Sequence, residues 1–259
     1  MNGALSRFAL DGRTAIVTGV GPGIGAHAAT AFAELGANVV CAARSTEVLT
    51  RVVDGIREAG GQALAVPTDV GDRHQLEALV AAAHDAFGPV HVILNNAATG
   101  DIAVDHDPWS VPDEVWYRAM DVNLLAPYRL TGLVFDDMRA HGKGSIITVL
   151  SCGGFTPIPP QFAYGSTKAG LHMLTRYLAK QCAPYARVNA ICPGSMNPDP
   201  VRESPAAAAF APHVAKNAIA RPGYADEVVG AALLLASDAS SYTTGSVIFA
   251  EGGRVGTIS

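Results

Sequence analysis

The chain has little charge and no concentrated charge. Asp, Glu, Lys and Arg make up 16% of its 259 residues, with a net charge of −5. There is no basic run and no interleaving of basic with aromatic residues, which argues against an electrostatic grip on nucleic acid or on an anionic membrane. No apolar stretch reaches the roughly 18 residues that a membrane-spanning helix needs. The first residues, Met1 to Arg7, carry no long apolar core of the signal-peptide kind, so a cytoplasmic protein is expected. Cysteine is scarce. Cys41, Cys152, Cys182 and Cys192 form no Cys-x-x-Cys pair and no zinc spacing, and a reducing compartment would keep all four as thiols. Cys41 and Cys192 lie in strand-like runs and read as small buried apolar residues. Cys152 follows Ser151 and reads as packing at the edge of a candidate site. No linker, repeat or low-complexity tract divides the chain, so one domain covering residues 1–259 is expected.

What is present is ample core material, with 49% hydrophobic residues, arranged as strand and helix in alternation. Strands are expected over residues 13–18, 38–43, 62–68, 90–95, 145–150, 187–191 and 246–249. Helices are expected over 26–35, 46–59, 73–87, 113–121, 123–141, 163–183 and 225–237, with a further short one at Ala206–Ala209. Apolar strands separated by helices imply an α/β fold: a doubly wound, Rossmann-type parallel sheet of seven strands covered on both faces. In such sheets ligands bind beyond the carboxyl ends of the strands, near the switch point. Gly19, Asp69, Asn95, Ser151 and Pro193 each lie at or just beyond such an end, so one rim should gather all five.

Two local patterns carry chemistry. Gly19-Val-Gly-Pro-Gly23-Ile24-Gly25 joins the first strand to an Ala-rich helix. Glycines allow a sharp turn, a close backbone approach to a pyrophosphate and tight helix packing, while the helix N-terminus offers N–H groups to phosphate. The second pattern is Tyr164-Gly-Ser-Thr-Lys168, with Ser151 upstream. On a helix Tyr164 and Lys168 share a face one turn apart. An ammonium beside a phenol favours the phenolate and would bring Tyr164 below its ordinary value near ~10. Tuned in this way, a tyrosine can exchange protons in catalysis. A solvated surface pair is the ordinary alternative for such spacing.

Taken together, these motifs resemble the short-chain dehydrogenase/reductase family over nearly the whole chain. The family's glycine motif matches Thr18 to Gly25, and its adenine-side acid matches Asp69, with Val70 beside it. Its Asn-Asn-Ala-Gly motif matches Asn95-Asn96-Ala97, with Ala98 in the last place. Its catalytic Asn, Ser, Tyr and Lys match Asn123, Ser151, Tyr164 and Lys168, and its Pro-Gly matches Pro193-Gly194. Glu251 is a second mild departure. The resemblance implies an NAD(P)-dependent oxidoreductase that interconverts a ketone and a secondary alcohol. Tyr164 would act as general acid or base, and Lys168 would hold the nicotinamide ribose. Ser151 would orient the substrate oxygen, and Asn123 would hold a water that links Lys168 to solvent. It also implies a homotetramer, or a dimer, built on the helices over 123–141 and 163–183 and on the last strand.

The family's acidic position at the end of the second strand matches Ala43. Arg44 and Ser45 follow, a cation and a hydroxyl suited to a 2′-phosphate, so NADP(H) is favoured over NAD(H). Pro22 stands where the family's other basic site would be. The loop over 97–112 and the segment over 195–218, a mobile lid, are expected to wall the substrate pocket. Gly154, Phe155 and Phe162 are candidates to line it, with core packing the stronger expectation for both phenylalanines. The lid holds no cluster of Arg or Lys, which favours a neutral or apolar ketone, sterol or β-keto ester over an anionic substrate. A 3-oxoacyl thioester is the alternative. Asp101, Asp105, His106 and Asp107 suggest a metal only weakly, because loop acids are usually solvated, and no metal site is expected. A different class of function, a catalytically silent cofactor sensor or scaffold, would have no use for the four catalytic matches.

Overall fold

The computed structural model describes residues 3–99, 108–158, 161–197, 214–215 and 217–255. Seven strands form one parallel sheet: β1 (Thr14–Thr18), β2 (Asn38–Ala43), β3 (Gln62–Pro67), β4 (Val90–Asn95), β5 (Gly144–Val149), β6 (Ala186–Pro193) and β9 (Val247–Ala250). Their spatial order is β3-β2-β1-β4-β5-β6-β9, and every pairing is parallel. The chain runs outward from β1 to β3 and then returns to β4 on the other side of β1. That reversal is the switch point of a doubly wound sheet. A two-stranded ribbon, β7 (Met196–Asn197) with β8 (Gly223–Tyr224), was not expected from the sequence.

Period-two alternation sends the strand side chains to two cores. Ala15, Val17, Val39 and Cys41 point into one core with Phe32 of α1 (Ile24–Glu34), Leu49 of α2 (Thr46–Glu58) and Leu235 of α7 (Val229–Ala236). Ile16, Val40 and Ala42 point into the other core. Leu76 of α3 (Arg73–Phe87), Val134 of α5 (Ala126–His141) and Leu178 of α6 (Phe162–Cys182) complete it. All five residues of β1 are buried, as a central parallel strand requires.

The expected break between helices near residue 122 is a change of pitch instead. α4 (Asp113–Met120) runs through a π-turn at Asp121–Leu125 into α5. Pro127 has no N–H, so the Asn123 carbonyl lacks its α-helical donor there. Ala126 N–H bonds back to the Asp121 carbonyl, five residues earlier. The helix expected at residues 225–237 is a 3₁₀ turn at Ala225–Val228 followed by α7. The helix expected at Ala206–Ala209 lies outside the described residues.

Candidate active site at the carboxyl rim of the sheet

The glycine turn packs against the end of β4. Gly19 has φ +70°, and a Cβ there would lie 2.6 Å from the Ala97 Cα and 2.7 Å from its amide nitrogen. A Cβ on Gly25 would strike the Gly19 carbonyl oxygen. Only glycine fits either place. Thr18 and Asn96 clasp this turn. Thr18 Oγ1 accepts from the amides of Asn96 and Ala97 at 3.2 Å each. Asn96 Nδ2 donates to the carbonyls of Thr18 at 3.2 Å and Gly19 at 2.9 Å. Their side chains therefore shape the rim. Gly23, Ile24 and Gly25 open α1 behind it.

Beside this turn lies a cavity of about 750 Å³. Gly19, Ala43, Arg44, Ser45, Asp69, Val70, Asn96 and Ala97 line it, eight positions that the sequence brings together from β1, β2, β3 and β4. Ser45 is the N-cap of α2, yet its side chain makes no capping bond. Arg118 of α4 also lines the cavity, which the sequence did not suggest. Its Nη2 donates to both Asp69 carboxylate oxygens, at 2.8 and 2.9 Å. Burial pushes the Asp69 carboxyl up. The Arg118 hydrogen bond, the Gly71 amide and the charges of Arg118 and Arg44 outweigh that and hold it below the usual carboxylate range.

The proton-transfer candidates meet across β5 and α6. Ser151 follows β5, its hydroxyl accepts from the Gly153 amide at 3.2 Å, and it stands near enough to Tyr164 to act on the acidity of that phenol. Lys168 is 2% exposed, and its Nζ donates to the Val149 carbonyl at 2.6 Å. That Nζ lies 5.6 Å from the centroid of the Tyr164 ring. Asn123, 1% exposed in the π-turn, accepts from the Thr99 amide at 2.9 Å and donates to Thr167 Oγ1 at 3.1 Å. Thr167 in turn donates to the Tyr164 carbonyl at 2.8 Å. This threonine, one turn along from Tyr164, ties the π-turn to α6. Its position on the helix face was the available signal for it.

One expectation about acidity is corrected. Burial raises the Tyr164 hydroxyl above its ordinary value, and the Ser151 hydroxyl only opposes this. Burial also pulls the Lys168 amine down to about 8. Loss of water disfavours the charged form of each group. Burial is the largest influence on the phenol here, and the Lys168 cation, which the spacing had suggested, is not among the groups that lower it.

Other matches fall apart from the main cavity. Pro193 ends β6, and Gly194 lines a separate cavity of about 310 Å³ with Ser195 and Glu251. The Glu251 carboxylate accepts from the amides of Arg254 and Val255, and so caps the turn that follows it. Gly154, Phe155 and Phe162 line a cleft of about 280 Å³ with Gly165 and Ala169. At 100° per residue that face of α6 points well away from Tyr164 and Lys168. Phe155 also packs against His172, Phe249 and a small core cluster, as expected, whereas Phe162, at the start of α6, is 42% exposed, so the core packing expected for it is not found. All four cysteines are buried free thiols, and Cys152 Sγ sits 3.6 Å from the Pro193 carbonyl. Asp101, Asp105, His106 and Asp107, and most of the expected lid, lie outside the described residues. No helix among the described residues is long and apolar enough to cross a membrane.

Comparison with known proteins agrees with this geometry. A family model described as enoyl-(acyl carrier protein) reductase matches residues 19–254. The chain is 39% identical to 3beta-hydroxysteroid dehydrogenase 1 of Eggerthella lenta over 253 residues, 94% of each chain. It superposes on a 7 alpha-hydroxysteroid dehydrogenase complexed with NADH and 7-oxo glycochenodeoxycholic acid, with a TM-score of 0.88. The identity there is 32%, with 98% of each chain covered. A gluconate 5-dehydrogenase from Burkholderia cenocepacia, in complex with NADP and tartrate, gives the same TM-score at 31% identity. It covers 99% of this chain and 100% of its own. Glycine turn, Asp69, Asn123, Ser151, Tyr164 and Lys168 thus stand on a sheet and within a sequence that both match: the chain belongs to the short-chain dehydrogenase/reductase family.

Proposed function

We propose that the chain is a single-domain, nicotinamide-dependent oxidoreductase that interconverts a ketone and a secondary alcohol. The observation that carries this reading is the gathering of Ser151, Tyr164 and Lys168 on the rim that also bears the glycine-walled cavity. The cavity fits a dinucleotide. Its wall at Gly19, packed on Ala97, has no room for a side chain, and Asp69 and Val70 line the same cavity. When bound, the dinucleotide supplies the hydride donor or acceptor.

The chain's own residues handle the proton. Tyr164, protonated at physiological pH as an ordinary phenol is and held further that way by burial, donates its proton to the substrate oxygen in reduction and recovers it in oxidation. Ser151 orients that oxygen by a hydrogen bond. Lys168, near its own midpoint at neutral to mildly basic pH, holds the ribose and passes the proton onward. The Asn123 main-chain carbonyl, without its helical donor, accepts from the water that links Lys168 to solvent. Thr18, Gly19, Gly23, Ile24, Gly25, Asn96 and Ala97 would frame the dinucleotide at the glycine turn, and Pro193 and Gly194, outside the main cavity, would meet it only where it extends past the end of β6.

The reading favours NADP(H). No acid stands at Ala43 to repel a 2′-phosphate, Arg44 offers a cation, and the Ser45 hydroxyl is not spent on capping α2. A neutral or apolar substrate is favoured, and the hydroxysteroid relatives support a bulky polycyclic alcohol or ketone. A 3-oxoacyl thioester is the second reading, because the matching family model is described by an acyl-carrier-protein substrate. A homotetramer, or a dimer, is proposed. Tyr128 on α5, Met173 and Tyr177 on α6, and Phe249 on the edge strand β9 are exposed apolar residues on the expected surfaces. A cytoplasmic location is part of the same reading, and no metal is assigned a role.

A panel of hydroxysteroids, simple secondary alcohols and a 3-oxoacyl thioester, assayed by absorbance of reduced nicotinamide, tests the proposal. Turnover of a sterol-like alcohol or ketone, with a higher kcat/KM for the phosphorylated cofactor, is expected. Clear preference for NAD(H) would overturn the cofactor assignment. Turnover of the thioester alone would overturn the substrate assignment.

A further inference from the structure

The amino edge of the sheet, opposite the catalytic rim, carries ionisable side chains that the proposed reaction does not use. His91 on β4 and His141 at the end of α5 stack face to face, with ring centroids 4.2 Å apart and planes 14° from parallel. Each ring has a fixed hydrogen-bond role. His91 Nδ1 accepts from the amide of Thr14, the first residue of β1, at 3.2 Å. His141 Nδ1 accepts from the Lys143 amide at 3.1 Å, and its Nε2 donates to the carbonyl of Val90, the first residue of β4, at 3.1 Å. The Val90 amide donates to Asp137 of α5 at 2.9 Å, and His84 of α3 meets the same carboxylate oxygen at 2.7 Å. Side chains therefore fasten the start of β1 to β4 and the start of β4 to α5.

We propose that the His91–His141 stack is an acid-released clasp, which holds the starts of β1 and β4 and the turn into β5 while both rings are neutral and lets them open when the rings take up protons. A ring nitrogen that accepts from an amide N–H carries no proton, so both rings are neutral in this arrangement. A proton on either Nδ1 sets donor against donor and frees an amide. Protons on both rings also put two like charges 4.2 Å apart. The surroundings of His91 lean the same way. Burial, then His141 and Arg13, disfavour its charged form, against the Pro89 carbonyl and Asp137. Asp238 is paired with Arg13 at 2.8 Å and also feels Lys143. The His84–Asp137 contact works in the opposite sense, because a charged His84 strengthens it. Below the ordinary histidine value of 6.5 the opened chain binds more protons at His91 than the closed one, so closure weakens as the pH falls through that region. The two strands so held carry Thr18 and Asn96 at their far ends, where those residues clasp the glycine turn.

The test is amide hydrogen exchange of the full chain, followed by NMR from about pH 7.5 to about pH 5.5 and corrected for the intrinsic pH dependence of exchange, with the His91 ring titrated in the same samples. In wild type the Thr14 and Lys143 amides should lose protection by about fivefold or more on acidification. His91→Asn places an amide oxygen near the position of Nδ1 but takes up no proton, so its Thr14 protection should change by no more than about twofold over the same range. The wild-type His91 ring should titrate below 6.5. Equal loss of Thr14 protection in wild type and in His91→Asn would overturn the inference. So would a His91 ring that titrates at or above 6.5. The ring titration needs no variant, and it decides the matter if His91→Asn does not fold.

Discussion

Lys168 is a nearly inaccessible amine among apolar residues, with one carbonyl acceptor. Burial lowers its pKa from 10.5 to about 8. At ~1.4 kcal/mol per unit, keeping it charged at neutral pH costs the fold roughly 3 kcal/mol. The sign follows from proton counting. Between about pH 8 and pH 10.5 the unfolded chain binds more protons at this site than the folded one, so stability rises with pH across that window. Tyr164 acts oppositely. Its raised pKa gives a contribution that is complete below the ordinary tyrosine value near ~10 and is lost above the folded value, so the lower part of the window reports Lys168. Lys168→Met should therefore be more stable than wild type by about 1–3 kcal/mol near pH 7, with no cofactor present. The gap should narrow near pH 9.5. Urea midpoints at the two pH values check this, and a gap that does not change with pH would refute it. Residue identities at the site could be read from motif spacing, but these acidities could not. The i, i+4 spacing reports that a tyrosine and a lysine are neighbours. It does not report that Val149 and the β5–β6 layer take the water from both.

At the scale of elements, the strands begin and end within about two residues of where alternation and glycine placed them. The π-turn was less legible. An asparagine inside a helical pattern and a proline four residues on marked the irregularity, but not that the two helices would run through it. The Asp69–Arg118 pair had no local signal, since it joins the end of β3 to α4 and depends on sheet order. The glycine turn was legible and is the element most exposed to a single change. Gly19→Ala places a Cβ against the Ala97 backbone at positive φ, and neither neighbour can yield. A loss of about 2–4 kcal/mol is expected, seen as a fall in Tm of several degrees, together with loss of dinucleotide binding. Gly55→Ala is the control. It is exposed within α2 with nothing within 4 Å of the new Cβ, and should stabilise by about 0.5–1 kcal/mol. Equal effects at the two positions would contradict the strain assigned to Gly19.

For the whole molecule, chain reversal at β1 and β4 puts residues from the ends of β1, β3, β4 and β5 on one rim. A parallel sheet makes that convergence legible from element order alone, because every strand delivers its carboxyl end to the same side. The outer faces of α5 and α6 keep Tyr128, Met173 and Tyr177 exposed. Light scattering should give a mass of two or four chains, and Tyr177→Glu should lower it. A wild-type monomer would contradict the proposed assembly. The central claim is that the Tyr164 hydroxyl moves the proton beside a bound nicotinamide dinucleotide. Tyr164→Phe removes that oxygen and leaves the ring. Turnover of the best alcohol or ketone should fall by about 10²–10⁴-fold, while cofactor affinity, titrated in parallel, stays within about threefold of wild type. A phenylalanine variant that turns over at the wild-type rate would contradict the account.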